Sequence, residues 1–173
     1  MTETTSKAPL RWVVGGLLVC AIAALFWPRD NFPKEAPGGF LTDRQGQPTP
    51  LAGHYAPVTL VHFWATWCPP CIEEAPALDR LTRDLAAPGR LAIVRIAVAD
   101  SPARVRAFLK GNDEDVLFDG KWDVAHRFGT TQIPETYIIV AGKVVKKFEG
   151  AANWDDPALR AQLAMWRDGK PST

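Results

Sequence analysis

The sequence predicts an α/β domain built on a mixed central sheet with helices on both faces. Three observations predict it. The runs Val58–Trp64 and Leu91–Val98 are apolar and β-branched, as expected of strands covered on both faces. Segments of helical period follow each of them, which implies parallel pairing through right-handed crossovers. Near the C-terminus two strand-like runs flank Ala141-Gly142, which predicts a two-residue hairpin and an antiparallel edge.

In chain order, residues 12–27 (WVVGGLLVCAIAALFW) form an uncharged apolar run with a tryptophan at each end. At the helical rise it spans roughly 24 Å, slightly short of a hydrocarbon core. A cleaved secretory signal is the competing reading, but Leu25, Phe26 and Trp27 continue the apolar run past the small residues Ala21 and Ala23. The expected organisation is a cytoplasmic stretch at 1–11, a transmembrane signal-anchor at 12–28, a linker at 29–39 and one domain at 40–173. The linker rests on the Pro- and Gly-rich segment NFPKEAPGG. Basic residues flank the anchor evenly, so charge alone does not orient it.

Residues 40–42 and 48–51, around Asp43-Arg44-Gln45-Gly46, read as a small extra hairpin ahead of the main sheet. After the strand Val58–Trp64, Ile72, Ala75, Leu78, Leu81 and Leu85 recur at three- and four-residue steps. They predict a helix with Pro76 inside it, ended by Pro88-Gly89. After Leu91–Val98, Ser101 and Pro102 open a helix that buries Val105, Phe108 and Leu109 and closes at Gly111. A short strand at 116–118, a short helix at 122–128, the hairpin at 136–148 and a helix opened by Asp156-Pro157 complete the chain.

Composition narrows the function. The net charge is +1, and Lys146-Lys147 is too short a basic run for a nucleic-acid surface. Of three cysteines, Cys20 lies in the apolar run, which leaves Cys68 and Cys71. A bridge across so short a loop removes little unfolded-state entropy, so chemistry explains the pair better than a structural staple. Cys68-Pro69-Pro70-Cys71 falls where a strand ends and a helix begins. A helix N-terminus favours a thiolate. Cys68 is expected to attack and Cys71, one turn inside, to resolve the mixed disulfide. Half of a zinc site is the bland alternative, but His54, His62 and His126 supply no second pair at ligand spacing.

The segment VHFWATWCPPC with Pro76 resembles the active-site segment of thioredoxins. The WATWCPPC form with Glu74 is most similar to the membrane-anchored TlpA/ResA/CcmG (DsbE) branch, as are Gln132 to Tyr137, Gly150 and the stretch Trp154 to Pro157. The resemblance covers roughly residues 37 to 168. It implies a thioredoxin fold and a cis Pro134 facing the disulfide, with Ile133 offering backbone to an extended substrate. From the residues alone, a proline that merely starts an edge strand fits Pro134 equally well. His62 departs from the pattern, which has a buried acid or Asn there. It is expected either to take the Cys71 proton or to be an inert core histidine. Glu74 and Glu135 are the acids that could tune the thiols, or else a helix-surface or strand-edge acid. Trp67 is expected to give substrates apolar contact, and Trp64 to lie in the core.

Pro69 and Pro70 lack N–H groups, so the Cys68 thiolate loses two donors at the helix start. A less stabilised thiolate makes the disulfide more stable and the dithiol a better electron donor. The expected activity is therefore reduction of protein disulfides. An oxidase or isomerase, a copper-binding module and a peroxidase are the alternatives. The last lacks a threonine at Ala65, three residues before Cys68. The resemblance implies haem-site cysteines of apocytochromes c as substrates and a membrane electron donor of the DsbD/CcdA type. It implies no diffusible cofactor, and the ligand spacing gives no expectation of a metal. With the N-terminal anchor, the expected location is a bacterial inner (cytoplasmic) membrane, single-pass, with the domain on the periplasmic or extracytoplasmic side.

Overall fold

The computed structural model describes residues 32–170. The expected anchor at 12–28 lies outside them. Among the described residues no helix is long and apolar enough to cross a membrane.

Seven strands form one sheet. They are β1 (Phe40–Thr42), β2 (Pro48–Pro50), β3 (Val58–Trp64), β4 (Leu91–Val98), β5 (Val116–Asp119), β6 (Glu135–Val140) and β7 (Lys143–Glu149). Their spatial order is β2-β1-β5-β4-β3-β6-β7. β3 pairs in parallel with β4, and β4 with β5, while β6 runs antiparallel to both β3 and β7. All seven residues of β3 are buried, as a central strand requires. Ala141 and Gly142 take φ of 49° and 79°, the positive values that a tight two-residue hairpin demands. The extra hairpin docks through β1 on β5, with Thr42 opposite Phe118.

The helices are α1 (Pro69–Leu85), α2 (Pro102–Phe108), α3 (Asp123–Phe128) and α4 (Pro157–Arg167). α1 and α4 cover one face, where Leu78, Leu81, Leu159 and Leu163 pack with Leu60, Ile138 and Trp154. α2 joins that side near the cysteines through Val105. α3 covers the other face, packing Val124 and Phe128 with Val61, Phe63, Ile96 and Tyr137. Burying one such side chain stabilises the fold by roughly 1.5–3 kcal/mol.

Two expectations change. The buried face of α1 is Cys71, Glu74, Leu78 and Leu81, while Ile72 is 39% exposed. Leu78 and Leu81 lie on the predicted face, and only in the first turn do Cys71 and Glu74 replace Ile72 and Ala75, because a buried acid holds a place there. The stretch expected as a linker is bound to the domain from Phe32 onward. Ala36 N donates to Gly142 O, Val144 N donates to Lys34 O, and Phe32 and Ala36 pack on the core.

Candidate active site

The site forms where β3 hands the chain to α1. Cys68 is the N-cap of that helix and is disulfide-bonded to Cys71. Both are buried in this oxidised form, at 4% and 1% exposure, with Cys68 the more accessible. The Cys71 N–H donates to Cys68 Sγ at 3.3 Å. Pro69 and Pro70 are exposed and offer no N–H to the sulfur. The Ile133–Pro134 peptide is cis, and Ile133 O lies 3.7 Å from Cys68 Sγ. Gly150 N holds this segment by donating to Pro134 O at 2.9 Å.

His62 and Glu74 meet behind the cysteines. His62 Nδ1 bonds Thr136 Oγ1 at 2.8 Å, and its Nε2 lies 3.8 Å from Glu74 Oε1. The other Glu74 oxygen, Oε2, accepts from Trp154 Nε1 at 2.7 Å and from Ala152 N at 3.0 Å. His62 and Cys71 line the same small cavity, and Cys71 and Glu74 sit three residues apart on the buried face of α1. Burial, then the Arg95 charge, pulls the His62 pKa down to about 3. Burial raises the Glu74 carboxyl, although the Ala152 and Trp154 donors hold it back. An imidazole held that low is a poor base near neutral pH, which favours the core histidine over the acceptor of the Cys71 proton among the two readings of His62.

Glu135 does not join the pair. It stands opposite Phe63 in the sheet and so shares the face away from His62. Its carboxylate takes Lys147 Nζ at 3.1 Å and the Tyr137 hydroxyl at 2.8 Å. Trp67 is 51% exposed beside Cys68, and Trp64 is buried. His54 and His126 are exposed and remote from this constellation, the latter stacked on Trp122. Sequence reasoning did not assign roles to Trp154, Thr136, Thr66 or Asp100. The first two lie in segments already singled out, but nothing in the spacing shows what they touch. Among the described residues no group of three or more His, Cys, Asp or Glu is arranged to hold a metal ion.

A redox-active pair at a strand-to-helix junction, faced by a cis-proline loop on this sheet, defines a thiol–disulfide oxidoreductase of thioredoxin fold. Residues 30–163 match the Redoxin family, and the chain belongs to it. It is similar to the thiol-disulfide oxidoreductase ResA of Bacillus subtilis, 28% identical over 78% of this chain and 80% of that one. It is 33% identical to a thiol:disulfide interchange protein DsbE homolog of Paracoccus denitrificans, over 62% of each. The crystal structure of a thioredoxin-family thiol:disulfide interchange protein from Chlorobium tepidum superposes with a TM-score of 0.62. It is 27% identical, over 79% of this chain and 99% of that one.

Proposed function

We propose that the chain is a protein-disulfide reductase working outside the cytosol. It is held in a bacterial inner membrane by residues 12–28 and re-reduced by a membrane donor of the DsbD/CcdA type. The observation that carries the direction is the surroundings of Cys68 Sγ. Among the described residues one N–H reaches it, from Cys71, and a carbonyl oxygen, Ile133 O, faces it. A carbonyl favours the protonated thiol, and a single donor stabilises the thiolate little. The disulfide is then the more stable form and the dithiol a strong donor.

In the reaction, the Cys68 thiolate attacks one sulfur of a substrate disulfide. That S–S bond breaks, a mixed disulfide forms, and the departing sulfur takes up a proton. Cys71 then passes its proton to the Glu74 carboxylate, which His62 neighbours. The Cys71 sulfur attacks Cys68 Sγ, closing the internal disulfide and releasing the second substrate thiol. Two electrons move from the dithiol to the substrate. The likeness of the WATWCPPC segment to its branch supports apocytochrome c haem-site cysteines as substrates.

The test is the equilibrium of the full chain against dithiothreitol and glutathione buffers, read as free thiols. A potential near or below about −220 mV supports a reductase. A value near about −120 mV overturns it and makes the protein an oxidant of folding chains.

A further inference from the structure

Two consecutive residues after β4 grip two consecutive residues before Cys68. Asp100 Oδ2 accepts from Thr66 N and from Thr66 Oγ1, each at 2.7 Å. Ala99 O accepts from Trp67 Nε1 at 3.2 Å. The other Asp100 oxygen, Oδ1, takes Ser101 N and Arg104 Nε, both at 2.8 Å. The carboxylate is therefore fully engaged, and its side chain has no solvent exposure. Burial alone would raise its pKa, but the donors, Thr66 foremost, outweigh burial and lower it. Ala99 sits at φ 46°, a left-handed conformation that alanine rarely adopts, in the turn that carries its carbonyl.

A need to cap α2 does not account for this arrangement, because Ser101 caps that helix. What the clamp holds is a half-exposed tryptophan next to the attacking thiol. A large indole left free to rotate loses that freedom on each encounter with a substrate, whereas one already fixed does not. We propose that Asp100 is a positioning residue for substrate recognition. It acts through Thr66 and Trp67 to hold the indole as a rigid apolar platform for the residues flanking a target disulfide. This rests on the reading of protein disulfides as substrates.

The test compares the reduced full chain against two substrates, insulin and hydroxyethyl disulfide, which has no flanking side chains. The readout is the ratio of the two second-order rate constants. Asp100→Asn is expected to lower that ratio about fivefold. In a Trp67→Ala background it is expected to change the ratio by less than about 1.5-fold, because the residue acts through Trp67. Equal losses on both substrates, or a fivefold effect that persists without Trp67, overturns the proposal. If Asp100→Asn does not fold, Thr66→Val removes one of the four bonds and is expected to lower the ratio about twofold. An unchanged ratio there also overturns it. A wild-type protein that reduces neither substrate defeats the reductase reading instead, which keeps the two failures apart.

Discussion

His62 Nε2 lies 3.8 Å from Glu74 Oε1, and both side chains are almost fully buried. Each group spends its other polar atom elsewhere, His62 on Thr136 and Glu74 on Trp154 and Ala152. The two remaining atoms face each other at a distance longer than a hydrogen bond, and Glu74 Oε1 has no hydrogen-bond partner among the described residues. Burial pushes the histidine down and the acid up, so the charged forms of both are disfavoured. The proton is better carried by the acid, whose pKa moves toward the working pH, than by the imidazole, whose pKa moves away from it.

Glu74→Gln is accordingly expected to slow the closing of the Cys68–Cys71 disulfide by about a hundredfold near neutral pH, the scale of a lost general base. In the wild type that step accelerates as pH rises through the raised Glu74 pKa. In the variant the acceleration moves to the thiol's own range, about 8.5. Stopped-flow release of thiol from a preformed mixed disulfide checks this. His62→Asn is expected to shift the wild-type limb but keep it. A limb that vanishes in His62→Asn and survives in Glu74→Gln would return the base role to the histidine.

The same pair predicts acid lability. The folded His62 pKa, about 3, lies below its ordinary 6.5. Between those values the unfolded chain binds a proton that the native chain refuses. This contribution to stability is present above pH 6.5 and is lost as pH falls toward 3, by up to about 1.4 kcal/mol per pH unit. Glu74 works the other way. Its raised pKa favours the native state at low pH, and that contribution is lost as pH rises through the folded value. Urea unfolding of the oxidised chain from pH 7 to 4 is expected to show a slope that His62→Asn flattens and Glu74→Gln steepens.

The prolines between the cysteines give a third expectation. Pro70→Ala restores an N–H in the first turn of α1, next to the Cys71 N–H that already reaches Cys68 Sγ. A hydrogen bond to a charged acceptor contributes about 1.5–3 kcal/mol. At about 30 mV per 1.4 kcal/mol, the potential should rise by roughly 30–60 mV and the Cys68 thiol pKa should fall. Redox titration and the pH dependence of alkylation measure both. A potential unchanged within error would remove the missing donors as the cause of a reducing site.

Most of the fold was legible because its elements carry strong local signals. The unbroken apolar runs of β3 and β4, the Ser101-Pro102 and Asp156-Pro157 helix starts, and the Ala141-Gly142 turn each point to one local structure. The thiols were legible for the same reason. The rest of the site was not, because it depends on contacts distant in sequence. Glu74 meets Trp154 across 80 positions, and Asp100 meets Thr66 across 34. Glu135 directly follows Pro134 in sequence, but alternation along β6 turns it to the far face. No local pattern reveals that Lys147 waits there to pair with it.

Trp154→Phe separates the structural share of this network from its chemical share. The indole is fully buried, and its N–H is one of two donors to Glu74 Oε2. Phenylalanine keeps an aromatic ring against Phe148 but leaves the buried oxygen one donor short. The expected cost is about 1–3 kcal/mol in denaturant unfolding. The lost bond had favoured the carboxylate, so its removal raises the Glu74 pKa further. The pH at which internal disulfide closure accelerates should therefore move upward, while the rate at the high-pH plateau stays near that of the wild type. Glu74→Gln, by contrast, abolishes that limb. A variant that is destabilised but keeps the wild-type pH profile would show that Trp154 supports the core and leaves the proton carrier untouched.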